Sequence, residues 1–178
     1  SAEAAEDTEA AETTDTTETA TGDTIKVAVV KQMDHASLDE IANAVEEELD
    51  AIAAKNGVTI EYETYSGQGD QSVLNQIGTQ VVSEDVDVII PIATPAAMIM
   101  QNATEDNQIP IVFSAVSDPV GAGLVASADA PGANITGTSD AIDVAQIMDF
   151  ILAADPDAAK IGFLYDKSQD SSTSAIQA

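Results

Sequence analysis

Four short segments carry residue types able to hold a small molecule. VDVIIPIATPAAMIMQNA, from Val86 to Ala103, is nearly all apolar as far as Ala93, then turns at Thr94-Pro95 into residues suited to a helix. Thr is a favourable N-cap, and Pro suits the first helical position, where its missing N–H costs nothing. The sequence therefore predicts Thr94 as the cap, with free N–H groups on Ala96 and Ala97 at the positive end of the helix. Small side chains there leave room for an anion, although the same residues would serve simply to begin a helix. FSAVSDPVGAG places Ser114, Ala115, Ser117 and Asp118 at the end of another apolar run. Asp118 could face a ligand or cap the Pro-Val-Gly turn that follows it. KQMDHAS offers Gln32, Asp34 and His35, with His35 reading as a capping or packing residue. SGQGD contains a Gly-x-Gly without the third glycine of a dinucleotide loop, and Asp70 or Ser72 there reads as a helix cap.

Several kinds of chemistry are excluded. With no Cys and a single His, the chain has no disulfide, no thiolate or multi-histidine metal site and no Cys nucleophile. It lacks a phosphate-binding Gly-Lys-Ser/Thr loop and a Gly-x-Ser-x-Gly elbow. The third apolar run ends in PIAT, where a response regulator would need an Asp. Hydroxyls, main-chain amides and carboxylates remain as groups able to contact a small ligand. The net charge of −27, from 32 acids against five Lys, repels phosphate backbones and excludes nucleic acid as a partner.

Elements able to position these segments follow one another regularly. Ser1 to Asp23 has no Val, Ile, Leu, aromatic or basic residue, so it is expected to be a disordered acidic tether over 1–23. Beyond it, IKVAVV, VTIEYETY, VDVIIPIA, IPIVFSAV and NITGTS read as strands, and KIGFLYD as a last one. Between them lie helical stripes: Leu38, Ile41, Ala42, Val45, Leu49 and Ile52; Leu74, Ile77, Val81 and Val82; then PAAMIMQNAT; then Val144, Ile147, Met148, Ile151 and Leu152. Ser37 with Glu40 reads as a capping box, Gly57 as a C-cap, and SSTSAIQA as the start of something helical. Strands apolar on both faces, alternating with amphipathic helices, predict an α/β fold: a doubly wound parallel sheet with helices on both faces. Ligands of such sheets bind beyond the carboxyl ends of the strands, which is where the four segments fall.

Taken together, IKVAVVKQMDHASLDEIANAVEEEL, IIPIATPAAMIMQNAT, IPIVFSAVSDPVGAGLV and ANITGTSD resemble the substrate-binding proteins of ABC transporters of the tryptophan/tyrosine type (TrpX-like). The resemblance runs in order from Ile25 to the C-terminus. It implies two periplasmic-binding-protein-like lobes joined by a hinge and closing around an amino acid, often an aromatic one. By that likeness Thr94, Pro95, Ala96 and the amides that follow, with Ser114 and Ala115, would hold the ligand carboxylate. Asp140 or Asp118 would pair with its ammonium, Gln32 would reach the cleft, and Ser139-Asp140 would lie at the crossover, where they could also cap the following helix. Ser171 would stand near a contact that the family usually makes with an Asn-Ser element, here replaced by Asp170-Ser171-Ser172. Tyr65 and Phe113 are the first-lobe candidates for stacking on a ring. One strand and one helix cannot build a core. The sequence is therefore expected to be a fragment, with a first lobe over 24–138 and a hinge and truncated second lobe over 139–178.

The implied function is substrate capture for an ABC importer, with a permease as partner. The protein would be extracytoplasmic, with a lipid anchor upstream of Ser1 as its tie to the membrane. A ligand-sensing domain of the same fold is the alternative reading. An enzyme ranks third, because Asp34 and His35 are the only candidate bases in the first lobe.

Overall fold

The computed structural model describes residues 24–164 and residue 176. The elements follow in the order β1 (Thr24–Lys31), α1 (Ala36–Asn56), β2 (Thr59–Ser66), α2 (Gln71–Ser83), β3 (Val88–Ile92), α3 (Thr94–Ala103), β4 (Ile111–Val116), β5 (Ile135–Ser139) and α4 (Val144–Ala154). The five strands form one sheet in the order β2-β1-β3-β4-β5, and every pairing is parallel. The strand order reverses between β1 and β3, which makes that boundary the switch point of a doubly wound sheet.

The two faces are buried by different helices. On one, Ala42, Leu38, Ile41, Val45 and Leu49 of α1 pack on Val27, Val29, Val88, Ile90 and Ile92. On the other, Leu74, Ile77 and Val81 of α2, with Ala96, Ala97 and Met100 of α3, pack on Ala28, Val30, Ile89, Ile111 and Phe113. Both stripes are those that helical spacing singled out, except that Ile52 is exposed. Gly78 lets α2 lie close against α3: a β-carbon there would stand 3.0 Å from that of Ala103. The loops beyond the strand ends are set by this packed frame.

Several local expectations are corrected. The cap of α1 is His35, whose Nδ1 accepts from the Ser37 N–H, so the capping box at Ser37 does not form. The imidazole acceptor takes the role expected of a hydroxyl. Gly57 closes α1 in the left-handed conformation, and Asp70 caps α2, as their residue types suggested. α4 is capped by Asp143, through the Gln146 N–H, and not by Ser139 or Asp140. α4 has no buried residue, and Phe150 and Leu152 on it are exposed. The expected strand KIGFLYD is not formed over 160–164, which pair with no strand among the described residues; its last two residues lie outside them. Ser171 and most of SSTSAIQA also lie outside them.

Candidate functional site

The carboxyl ends of β1, β3 and β4 are tied side by side by backbone hydrogen bonds that continue the sheet. The Gln32 N–H donates to the Ile92 carbonyl at 3.3 Å, and the Ala93 N–H to the Ser114 carbonyl at 3.0 Å. Further along, the Asp140 N–H donates to the Val116 carbonyl at 3.3 Å, and the Ser139 hydroxyl to the Ser117 carbonyl at 3.1 Å. Gln32, Thr94, Ser114, Ser117 and Asp140 are thereby lined up along one end of the sheet.

The chain passes from β3 into α3 within one residue. Ala93, and not Thr94, is the N-cap; it lies at φ 79° and ψ 154° and makes no side-chain capping bond. Thr94 is the first helical residue, with Pro95 after it. The Ala97 N–H closes the first helical bond on the Ala93 carbonyl at 3.1 Å, so Ala97 is not a free donor as expected. Among the described residues the N–H groups of Thr94 and Ala96 have no main-chain partner. They lie in the first turn, where amides point out of the helix and carry its positive end. The sharp strand-to-helix turn is one that hydrolases use to expose a nucleophile, but here the residue at the bend is Ala. The bend itself therefore presents main-chain donors and no side-chain nucleophile at Ala93.

The polar side chains along this end divide into engaged and open. Thr94 is 7% exposed, yet its hydroxyl makes no hydrogen bond among the described residues. No fully buried side-chain polar atom among them lacks a partner, so that hydroxyl reaches the surface. The Ser114 and Ser117 hydroxyls, the Gln32 amide and the Asp140 carboxylate are likewise unbonded to other described groups. Asp118, by contrast, accepts from the Gly121 N–H at 2.8 Å, capping the turn as its sequence allowed. The Ser139 hydroxyl accepts from the Ala141 N–H at 3.2 Å besides donating to Ser117. Asp118→Asn keeps the capping oxygen while removing the charge. It is expected to leave the melting temperature close to the parent's and the ligand affinity within about twofold, whereas Asp140→Asn should weaken an ammonium-bearing ligand by about tenfold, the first read from a melting curve and the affinities by titration calorimetry.

Lys31 is a feature that sequence reasoning passed over. Its Nζ bridges Asp34 at 3.1 Å and Asp39 at 2.5 Å, fastening the loop after β1 to α1. Its pKa is raised from 10.5, chiefly by the hydrogen bond to Asp39, and that of Asp34 is lowered from 3.8 by bonds from Ser66 and then Lys31. The Lys31 charge is therefore paired with two carboxylates. The stabilisation from Asp34 holds above pH 3.8 and is lost as pH falls through its lowered value. That from Lys31 holds below pH 10.5 and is lost as pH rises through its raised value. Lys31→Met should melt below the parent at neutral pH, and the gap should narrow below pH 3.8.

Neither expected stacking ring is available. Phe113 is 3% exposed within the core. Tyr65 turns its hydroxyl to Glu84, 2.8 Å away just past the C-terminal end of α2, where the Glu84 carbonyl accepts from Lys26 near the amino end of β1. The Tyr65 pKa is raised, first by burial and then by the bond to Glu84. Glu84 is lowered, by the Gln80 amide and then by Tyr65.

This arrangement has counterparts in known proteins. Residues 26–178 match the family model described as ABC transporter substrate binding protein. A tyrosine-binding protein of Clostridioides difficile (strain R20291) is 35% identical over 143 residues, covering 80% of this chain and 41% of that protein. A conserved domain protein from Vibrio cholerae O1 superposes with a TM-score of 0.79 at 36% identity, over 87% of this chain and 52% of the other. An ABC domain from Streptococcus pneumoniae in complex with L-Trp gives 0.75 at 34% identity, over 85% and 50%. The chain thus spans about half the length of these relatives. Family model, sequence and fold agree, and the chain belongs to the ABC transporter substrate binding protein family.

Proposed function

We propose that this chain forms part of the substrate-binding component of an ABC importer, capturing an amino-acid-like zwitterion at the carboxyl ends of β1, β3 and β4. The observation that carries the reading is Thr94: nine-tenths buried, with a hydroxyl open to the surface beside two unpaired amides. Such a cluster offers a carboxylate three neutral donors and the positive end of a helix. Asp140 supplies a counter-charge for the ammonium, and Gln32, Ser114 and Ala115 border the same strip. An aromatic amino acid is the favoured class, because relatives at 34–35% identity are named for tyrosine or were solved with L-Trp. With Phe113 and Tyr65 both engaged elsewhere, the ring would be read from the opposite wall of the cleft.

In this reading residues 24–138 are the first lobe, and residues 139–178 cross over and begin the second. The bare apolar face of α4 supports that division, since a helix of this kind needs a core to join. The acidic stretch 1–23 is a tether, a permease is the partner, and the setting is extracytoplasmic with a lipid anchor. Thermal-shift screening of the intact protein against the twenty amino acids tests the proposal. A ligand at a hundredfold excess over its Kd should stabilise by about 2.7 kcal/mol, and a flat response across the panel would overturn the reading.

A further inference from the structure

Two alanines at the strand ends adopt conformations that L-residues rarely take. Ala93 lies at φ 79° and Ala115 at φ 55°. Ala115 belongs to an irregularity in β4: Phe113 pairs with Gly137 and Val116 with Ser139, so Ser114 and Ala115 together oppose Thr138 alone. One hydrogen bond joins the two sites, from the Ala93 N–H to the Ser114 carbonyl at 3.0 Å. The Ala93 carbonyl in turn receives the first helical bond of α3, from the Ala97 N–H. Both backbone groups of Ala93 are thus fixed, one by the bulged strand and one by the helix. A residue kept against its own preference needs such over-determination, and strained residues of this kind gather where ligands are clamped.

We propose that Ala93 and Ala115 are positioning residues, whose locked peptide planes hold the Thr94 and Ala96 amides and the open hydroxyl of the largely buried Thr94 at the spacing a carboxylate requires. This rests on the carboxylate-binding reading above and adds the means by which the seat is made rigid. Glycine at either position would adopt the same angles without strain, yet it also reaches many others. The chain would still fold, but the donors would wander and their ordering would fall on the binding step.

The test compares L-tyrosine with L-tyrosinamide, in which a neutral amide replaces the carboxylate, by titration calorimetry on the intact parent protein and on Ala93→Gly and Ala115→Gly. A partly unfolded sample weakens both ligands by the same factor, so their affinity ratio reports the seat and not stability. Each variant should lose about threefold to tenfold of the parent's preference for L-tyrosine over L-tyrosinamide. An unchanged ratio in both variants overturns the positioning role while leaving the function standing. If screening finds another amino acid, it and its amide replace this pair; a parent that binds none of the twenty amino acids overturns the underlying reading itself, and this inference with it.

Discussion

Replacing Thr94 by Val should weaken amino-acid binding by about 10- to 100-fold while leaving the melting temperature close to that of the parent. The two side chains have nearly the same shape, so the buried site stays filled. No hydrogen bond among the described residues is lost, because the hydroxyl makes none. What disappears is a donor to a charged group, and such a bond contributes about 1.5–3 kcal/mol. At about 1.4 kcal/mol per tenfold, that is the predicted loss. Titration calorimetry against the ligand found by screening measures the affinity, and a melting curve the fold. Unchanged affinity would reduce Thr94 to a structural residue at the start of α3.

Gly137→Ala should cost the protein about 3 kcal/mol or more, a fall in melting temperature of roughly 6–12 °C. Gly137 pairs with Phe113 across β4 and β5, where an added β-carbon would land on the Phe113 carbonyl oxygen and press on its ring. A backbone oxygen cannot swing aside as a side-chain end can. β5 would have to move away from β4, loosening the Ile111–Ile135 pairing and the Ser139–Ser117 bond that anchors the strip's outer end. Both melting temperature and ligand affinity should therefore fall. A variant that melts with the parent would mean that the two strands are further apart than described.

Much of this architecture was written in local chemistry. IKVAVV read as a strand buried on both sides and the stripes of α1 and α2 named the faces they would bury, whereas IPIVFSAV forms a strand that leaves Val112 exposed. Asp70, Gly57 and Asp118 have the roles their types favour, because turns and caps are decided within a few residues. The misses arise where distant parts meet. Thr94-Pro95 announced the start of α3, but the cap fell one residue earlier, because Ala93 has to satisfy both β4 and the helix. Nothing in the letter Ala signals a positive φ. Lys31 showed no intent until the fold brought Asp39 beside it. Phe113 and Tyr65 looked available as rings until core packing and Glu84 claimed them. Over 160–164 the run KIGFLYD has no strand partner among the described residues, and a strand is defined by its pairing and not by its own composition.

The central claim is that main-chain amides and one hydroxyl at the opening of α3 receive a carboxylate. A crystal structure of the intact protein grown with its amino-acid ligand tests it most directly. The account predicts carboxylate oxygens about 2.7–3.1 Å from the Thr94 hydroxyl and the Ala96 N–H, with the ammonium turned toward Asp140. A ligand seated elsewhere, or one whose carboxylate leaves those donors to water, would contradict it.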